Sequence, residues 1–504
     1  MTKINFKRCA LAVVAAASFS PIAMADIGGG GATLPAKGYQ GASASSTATG
    51  PRLSSPVPGS LFYEALPLVT QSYCQTGSGG GRSVLIGSNG NTNASRPCPA
   101  TFTDAFVNGT SGFSAPSTDA DFAASDAPAS PGDFDAFVTN KAAHEQLVQF
   151  PAVAGTVAVI ANPPGTSVDT PYFTEAELCN IFAGKITNWN QLANKSGSPY
   201  SSTLITIVYR SDSSGTTFGF SNHLNKVCQD ASLAQTLSPL ATALPFTPAS
   251  ANFSVQSVFA SAFPGGVVPA HVIAASGNPG VTSAVEATNG AIGYAEMANV
   301  LSLAKPNNVI PVRVAAVDTV AELNPRDSAP KARTQSLYRS AANPTNSFTI
   351  PTTFTDVDGS VLSGTYTGRA LQGNNATYGR PTGVPTALNT TQAPHPNCVA
   401  LVHPGAYATS AYNTAGTPSS GYKSYPIVAV SYLLGNFALN GDANDMATLL
   451  GSPYNVALRV ANGGPVTTIG SNTGYYYLTS PVVATTLTNS SVTINQARVD
   501  ACIN

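Results

Sequence analysis

Charged residues and long apolar runs are scarce in this sequence of 504 residues. Only 9% of the residues are charged, and the Lys and Arg residues form no basic run, which argues against nucleic acid as a partner. No segment after residue 25 is long and apolar enough to cross a bilayer. We therefore expect neither a nucleic-acid-binding protein nor one that inserts into a membrane.

The cysteines and histidines lack the spacing of a metal site. No two of the seven cysteines stand in C-x-x-C spacing, and the five histidines are scattered, so we expect no metal and no cofactor. Six cysteines lie beyond residue 25, and an even number in an exported chain favours three disulfides. Many pairings are open. The simplest joins neighbours in sequence: Cys74 to Cys98, Cys179 to Cys228, and Cys398 to Cys502.

Residues 1–25 have the pattern of a secretory signal peptide. A basic start precedes a mostly apolar stretch from Ala10 to Ala23, and Ala23-Met24-Ala25 fits a small-residue cleavage site. Cleavage after Ala25 removes three basic residues, so 23 basic residues fall to 20 against 24 acidic ones, a net charge of −4. We expect a periplasmic or secreted product that would have to hold an anion by local dipoles and one or two charges.

The turn at residues 210–216 carries the most functional information. The β-branched run Leu204–Tyr209 predicts a buried strand, and the apolar spacing after the turn predicts a helix. The segment Ser214–Thr216 then stands at a helix start, where free N–H groups and the helix dipole favour an anion. Arg210 adds a fork of donors that Asp212 could hold in place. An ordinary N-cap with a surface arginine explains this stretch alone equally well.

Two earlier segments are rich in glycine. Residues 26–35 combine glycines, which leave N–H groups free to face a ligand, with the hydroxyl of Thr33. Taken alone, this segment is better explained as a flexible leader. After a helix and a strand within Leu61–Cys74, the sequence predicts a second glycine-rich turn that carries Ser78. Residues 83–118 then read as a surface insertion pinned by Cys98.

A carboxylate follows the run of small residues at 121–125. Asp126 would repel an anion unless that anion carries a proton, in which case the carboxylate can accept a hydrogen bond from a P–OH group. The same carboxylate would reject sulfate, which has no proton to offer. An aspartate that caps the following turn is an equally good local explanation.

Together these segments resemble the phosphate-binding proteins of bacterial phosphate ABC transporters. Thr33-Leu34, Ser78, Asp126 and Arg210-x-Asp212-x-Ser214-Gly215-Thr216 stand in that family's order. The start at residues 26–35 is similar to that of the DING proteins, an exported branch of the family, with Gly28 in place of their Asn. The likeness covers most of 26–300 and a patch near 425. The supporting segments are Gln149–Pro151, Val153–Ala161, Ile181–Trp189, Gly290–Tyr294 and Tyr425–Ile427.

The resemblance implies an α/β fold with two lobes, the type II periplasmic-binding-protein fold, which closes on its ligand about a hinge. Lobe 1 would comprise 26–155 and 306–504, and lobe 2 would comprise 156–305. The long polar stretch at about 306–424 departs from the family pattern and contains no ligand motif. Asp212 would support Arg210. The implied phosphate ligands are Thr33, Leu34 (through its backbone), Ser78, Asp126, Arg210, Ser214, Gly215 and Thr216.

Two functions follow from the resemblance. The first is high-affinity capture of inorganic hydrogen phosphate, for uptake or scavenging, and the alternative is a DING-like secreted alkaline phosphatase acting on phosphomonoesters. Hydrolysis needs an activated nucleophile or water, and His223 is carried about two helical turns away from the predicted site. A structural or adhesive protein that retained the fold would not need every ligand position. We predict a monomeric binding protein rather than an enzyme, with a phosphate ABC transporter permease as candidate partner.

Overall fold

The structure, a computed structural model, describes the chain in separate stretches. The predicted signal peptide and most of the polar stretch at 306–424 lie outside the described residues. The described residues are 27–41, 52–87, 98–99, 102, 120–165, 171–192, 199–229, 252–301, 310–311, 313–315, 371–373, 398–402, 404, 407, 427–470, 473–478, 487–489, 492–500 and 502–503.

Strands and helices alternate along most of the described chain. The strands are β1 (Ile27–Gly31), β2 (Leu53–Ser54), β3 (Gln71–Cys74), β4 (Phe122–Ser125), β5 (Leu147–Ala161), β6 (Tyr172–Thr174), β7 (Thr206–Arg210), β8 (Val272–Ala275), β9 (Ala291–Glu296), β10 (Ile310–Pro311), β11 (Arg313–Ala315), β12 (Leu371–Gly373), β13 (Ala400–Val402), β14 (Val428–Asn436), β15 (Tyr475–Tyr477), β16 (Leu487–Asn489) and β17 (Val492–Ile494). The helices are α1 (Ala36–Gln40), α2 (Leu61–Ala65), α3 (Ser78–Ile86), α4 (Pro131–Asn140), α5 (Glu175–Phe182), α6 (Gly215–Gln229), α7 (Gly277–Ala287), α8 (Met297–Leu301), α9 (Ala443–Gly451) and α10 (Gln496–Asp500).

Among the described residues, eleven strands form one mixed sheet. Its order is β2-β3-β1-β4-β14-β5-β9-β7-β8, and β10 and β15 also pair with β5. Strand β1 is parallel to β3 and β4 in the first half of the sheet, and β7 is parallel to β8 and β9 in the second half. Helices follow the parallel strands, as in other α/β folds.

The long strand β5 belongs to both halves of the sheet. Its residues 147–156 pair with β14, whereas residues 157–161 pair with β9. All fifteen of its residues are buried, as expected of a strand covered on both faces. The chain therefore passes from one half to the other within a continuous strand.

The predicted disulfide pairing is confirmed. Cys74 bonds to Cys98, Cys179 to Cys228, and Cys398 to Cys502. The last bond closes a separation of 104 residues, and the carbonyl of Cys398 accepts a hydrogen bond from the N–H of Gln149 in β5. This bond therefore ties the chain's last described residues to the central strand.

Both glycine-rich segments are regular structure, so residues 27–31 are not a flexible leader, and the glycine-rich turn predicted around Ser78 is instead the start of a helix. Residues 28–31 belong to β1, which is paired on both sides and leaves little backbone for a ligand. Residues 79–81 lie inside α3. A Cβ atom on Gly30 would lie 2.2 Å from the carbonyl oxygen of Cys74, and one on Gly81 would lie 2.5 Å from the Cα of Gly31. Gly81 therefore lets α3 pack directly on β1, whereas Gly30 has no room for a side chain beside β3.

Candidate anion-binding site

The parallel strands of the first half end at one edge of the sheet, and the predicted site residues follow them. Thr33 and Leu34 come after β1, Ser78 begins α3 after β3, and Asp126 comes directly after β4. Each of these residues is at most 2% exposed. The carboxyl ends of parallel strands are a common place for ligands in α/β sheets.

The predicted strand, turn and helix of the second half are confirmed. Strand β7 ends at Arg210, and α6 begins at Gly215. The hydroxyl of Ser214 accepts a hydrogen bond of 3.1 Å from the N–H of Thr217, which makes Ser214 the N-cap. Arg210, Ser214 and Thr216 are fully buried. The surface arginine that sequence alone left open is therefore excluded.

The two halves meet directly at these residues. The N–H of Gly215 donates to Ser78 Oγ at 3.0 Å, and the N–H of Gly79 donates to the carbonyl of Ser213 at 3.0 Å. Asn278 of α7 donates through Nδ2 to Thr33 Oγ1 at 3.1 Å. The cleft between the strand ends is therefore closed.

Arg210 is held in a fixed orientation by its neighbours. Its Nε donates to Asp212 Oδ1 at 2.7 Å, and its Nη2 donates to the other oxygen of the same carboxylate. Its Nη1 donates to Thr216 Oγ1 and to Asn278 Oδ1, each at 3.3 Å. Of the five N–H bonds of this guanidinium, one on Nη2 has no partner among the described residues and can bond a ligand.

Asp212 keeps its charge although it is buried. Burial alone would raise the pKa of Asp212, but the charge and hydrogen bonds of Arg210 and the N–H of Gly277 bring that pKa below its usual value. The N–H of Gly277 donates to Asp212 Oδ1 at 3.0 Å. Asp212 therefore orients the guanidinium as an ionised partner, as the sequence suggested.

The pKa of Asp126 is shifted in the opposite direction. Burial raises its pKa to about 7, although Ser431, Arg210 and Ser78 act to lower it. Its Oδ2 accepts a hydrogen bond of 3.4 Å from the hydroxyl of Ser78, whereas its Oδ1 has no hydrogen-bond partner among the described residues. The hydroxyl of Ser431 is near enough to lower this pKa, but it makes no hydrogen bond to Oδ1. An unpaired buried carboxylate oxygen is costly unless a ligand supplies a donor.

Several hydroxyl groups at the site can donate a hydrogen bond to a ligand. A hydroxyl that accepts a hydrogen bond from an N–H group has its own hydrogen left to give. This holds for three of them: Ser214 accepts from Thr217, Thr33 from Asn278, and Thr216 from Arg210 and Asn278. Ser78 accepts from the N–H groups of Asp126 and Gly215, but its own hydrogen is donated to Asp126 Oδ2.

Several backbone N–H groups add to this set of donors. Within the described part of the chain, the N–H groups of Thr33, Leu34, Ser78 and Thr216 have no acceptor. Such groups are expected at the first turn of a helix, and an anion there satisfies them. The site therefore offers many donors and a single free acceptor, Asp126 Oδ1.

Two residues at the site were missed in the sequence. Asn278 stands in Ser276-Gly277-Asn278 after β8, which repeats the Ser-Gly-x pattern of residues 214–216 after β7. That repeated strand-to-helix turn was a signal that could have found it. Arg52 is also buried, and its Nη2 donates to Ser276 Oγ at 3.2 Å across the cleft. Its sequence surroundings gave no comparable signal.

Groups that would support hydrolysis are placed elsewhere. His223 lies buried in the middle of α6, away from the strand ends. Within the described ranges, no three His, Cys, Asp or Glu residues are grouped so as to hold a metal ion. A search of the same ranges finds no helix with the length and hydropathy to cross a membrane.

The raised pKa of Asp126 predicts how stability depends on pH in the ligand-free protein. Its carboxyl holds a proton more tightly when folded, so this contribution favours folding below about pH 4 and is lost as the pH rises to about 7. Asp126→Asn removes the titration and leaves that of the buried Glu296 in place. We expect the Asn variant to gain up to about 1.4 kcal/mol per pH unit over the wild type in this range. Urea unfolding of both proteins at several pH values measures this, and a constant difference would contradict it.

The comparison with protein families gives the class of protein. Residues 43–349 match a family described as the PBP superfamily domain. This match spans more than half of the chain, and the chain therefore belongs to the PBP superfamily. The predicted two-lobed, type II periplasmic-binding-protein fold is confirmed.

Individual relatives cover parts of the chain. Alkaline phosphatase L of Pseudomonas aeruginosa is 31% identical over 294 residues, which is 57% of this chain and 61% of the relative. Phosphate-binding protein PstS of Xylella fastidiosa is 37% identical over 158 residues, 31% of this chain and 36% of the relative. The chain thus matches less than two thirds of the length of either relative.

Solved structures are similar over most of the chain. A high-affinity periplasmic phosphate-binding protein (PfluDING) bound with phosphate has a TM-score of 0.52 at 22% identity, covering 90% of this chain and 91% of the other. A human phosphate binding apolipoprotein gives the same TM-score and coverage at 19% identity. At these identities the likeness shows the fold.

Proposed function

We propose that this chain binds inorganic hydrogen phosphate in the closed cleft between its two lobes. One observation carries the proposal: the buried hydroxyls of Thr33, Ser214 and Thr216 have hydrogens to donate, while one buried carboxylate oxygen, Asp126 Oδ1, has no donor among the described residues. A matching ligand has several acceptor oxygens and one O–H group, as hydrogen phosphate does. Sulfate has the acceptors but no O–H, so it would leave Asp126 facing an oxyanion without a hydrogen bond.

The proposed ligand set comes from both lobes. Lobe 1 (26–155 and 306–504) contributes Thr33, Leu34 through its backbone N–H, Ser78 and Asp126. Lobe 2 (156–305) contributes Arg210, Ser214, Gly215 and Thr216, with Asp212 holding the guanidinium. The N–H groups of Thr33, Leu34, Ser78 and Thr216, which have no acceptor within the described residues, and the hydroxyls of Thr33, Ser214 and Thr216 support their assignment. Gly215 is proposed from the family order, because its N–H donates to Ser78 Oγ and would have to leave that acceptor to reach a ligand.

The charges at the site suit a desolvated dianion. Arg210 is the cation in this set, and the N-terminus of α6 adds a partial positive charge. A dianion out of water is strongly disfavoured unless each oxygen is hydrogen-bonded, and the number of donors at the site meets that need. The carboxylate of Asp126 would accept the one proton of the ligand.

The location and partners are also part of the proposal. The signal-peptide pattern and the relatives named as phosphate-binding proteins support a periplasmic or secreted protein. A monomer is the oligomeric state proposed for it. A phosphate ABC transporter permease is the proposed partner for a periplasmic carrier. Extracellular scavenging is the other use of the same binding reaction.

Calorimetric titration of phosphate-stripped protein tests the function. We expect tight binding of phosphate with a one-to-one ratio, unchanged by a large excess of sulfate. A wild-type protein that binds neither phosphate nor arsenate, while remaining folded by circular dichroism, would overturn the proposal.

A phosphatase activity is the second candidate, favoured by the name of the Pseudomonas aeruginosa relative. Hydrolysis would need a base near a nucleophile, and among the described residues Ser214 accepts from the N–H of Thr217 and has no base beside it. Ser78 donates to Asp126 Oδ2 at 3.4 Å and is therefore the candidate nucleophile to test, but the same carboxylate is the proposed acceptor for the O–H of the ligand. We expect no steady release of phosphate from an aryl phosphate. Turnover that is lost in Ser78→Ala or Ser214→Ala would establish the enzyme instead.

Gly215→Ala is expected to weaken phosphate binding by preventing closure. A Cβ at this position would lie 2.3 Å from Asp126 Cβ and 2.4 Å from Ser78 Oγ, closer than real contacts allow. The two lobes would have to separate, which we expect to cost about 100-fold in affinity, or about 2.7 kcal/mol. Gly280→Ala in the first turn of α7 is the matched control, because its nearest contact is 3.6 Å. Equal affinities for the two variants would contradict the closed geometry.

A further inference from the structure

Asn278 contacts the candidate site from both sides. Its Nδ2 donates to Thr33 Oγ1 at 3.1 Å in the first half and to Thr216 Oγ1 at 3.3 Å in the second half. Its Oδ1 accepts from Arg210 Nη1 at 3.3 Å and from the backbone N–H of Glu296 at 3.2 Å. The side chain is fully buried, and its amide makes four hydrogen bonds. No other residue named here contacts both threonines.

The orientation of this amide is fixed by its neighbours. A guanidinium and a backbone N–H can only donate, so the amide oxygen must face Arg210 and Glu296. The amide nitrogen must then face the two threonines. Because Nδ2 can only donate, each threonine oxygen is held as an acceptor on that side.

This arrangement decides where the threonine hydrogens point. With Asn278 donating to them, the hydroxyls of Thr33 and Thr216 must direct their own hydrogens away from Asn278. Thr216 also accepts from Arg210 Nη1, whereas Thr33 accepts only from Asn278. Thr33 therefore depends on Asn278 more than Thr216 does.

We propose that Asn278 is a positioning residue for hydrogen phosphate, which it does not touch but for which it orients the hydroxyls of Thr33 and Thr216. This inference rests on the proposed function. Asn278 also links the two halves through Thr33 and Thr216, so it lowers the entropy cost of ordering the donors around a ligand. An unoriented hydroxyl would spend part of its time donating elsewhere.

Asn278→Ala and a matched control test the proposal by phosphate titration. We expect Asn278→Ala to bind phosphate about 10- to 100-fold more weakly, since two donors lose their orientation. Asn162→Ala is the control, because Asn162 also bonds α7 through Nδ2, at the carbonyls of Val285 and Glu286, but at the far end of the helix. Its affinity should change by less than about twofold. Equal affinities for Asn278→Ala and the wild type would overturn the proposal.

A double-mutant cycle separates positioning from packing. If Asn278 acts through the Thr33 hydroxyl, Asn278→Ala should add little to the loss caused by Thr33→Val, so the two effects are far from additive. The same cycle with Thr216→Val should show weaker coupling. Additive losses in the Thr33 cycle would mean that Asn278 only packs, and would overturn the proposal.

A second variant covers the case in which Asn278→Ala does not fold. Asn278→Asp keeps an acceptor for Arg210 and for the N–H of Glu296 but cannot donate to the threonines when ionised, and the Thr33 cycle can be run in that background. A wild-type protein that binds no phosphate would refute the proposed function, and this inference with it. A wild type that binds, with additive losses in both cycles, would refute this inference alone.

Discussion

Replacing Arg210 by alanine is expected to weaken phosphate binding about 100- to 1000-fold, the loss typical of removing one partner from a buried, hydrogen-bonded charge pair. The guanidinium is fully buried and is held by Asp212, Thr216 and Asn278, so no other side chain can move into its place without breaking those contacts. Its removal also leaves the charge of Asp212 without its main partner. Calorimetric titration of phosphate measures the loss.

Arg459→Ala is the matched control for Arg210→Ala. Arg459 is also buried, lies 4.1 Å from the ring centre of Tyr477 and donates to the carbonyl of Pro453, which are not residues of the proposed site. We expect this variant to lose stability and to keep its affinity for phosphate. If Arg210→Ala bound phosphate within a few-fold of the control, the proposed site would be wrong.

Replacing Asp126 by asparagine is expected to change which anion binds. An asparagine amide can turn its NH₂ group toward the ligand, where the carboxylate could only accept, so sulfate would find a donor in place of a repelling charge. A site built to bond an O–H group rejects an analogue without one by about 10⁴- to 10⁵-fold. We expect the variant to lose about 100-fold or more of the preference for phosphate over sulfate, mainly through weaker phosphate binding. Competition titrations with both anions measure it.

The control for Asp126→Asn lies at the other end of the same strand. Asp121 precedes β4 and accepts a hydrogen bond of 2.8 Å from the N–H of Gly28. Asp121→Asn makes the same chemical change away from the site and should leave the preference for phosphate unaltered. An unaltered preference in Asp126→Asn as well would mean that this carboxylate does not face the ligand.

Local patterns predicted the turn at Arg210 because the information needed there is local. A β-branched run, a Ser-Gly-Thr helix start and an arginine at the strand end define the strand, the cap and the donor within one short segment. The strand was found at Thr206–Arg210 rather than at 204–209, a shift of the size that end effects produce.

The glycines of β1 could not be assigned in the same way. Glycine is required there because other elements approach the backbone of β1 closely. A Cβ on Gly29 would lie 2.4 Å from the ring of Phe122, and a Cβ on Gly81 of α3 would lie 2.5 Å from Gly31. Those neighbours are distant in sequence, so a buried strand and a flexible leader look alike in the sequence alone. Tertiary contacts, not local propensity, decide the structure there.

Asn278 was missed for a related reason. A single asparagine after a strand has many uses, and its role became visible only when α7 was placed beside Thr33, 245 positions earlier in the chain. Ser78 and Asp126 show the converse case. Each was assigned through family order, and the structure then placed them in contact, with the N–H of Asp126 donating to Ser78 Oγ at 3.0 Å.

Strand β14 has a consequence for how the protein is made. It lies between β4 and β5 in the sheet, yet these strands are complete by Ala161, whereas β14 begins at Val428. During synthesis, the backbone edges of β4 and β5 that later pair with β14 remain unpaired. Such edges can pair with other chains. A chain delivered from its N-terminus would have to be shielded from aggregation until residue 436 emerges. Only then can the half of the sheet that carries Thr33, Ser78 and Asp126 close.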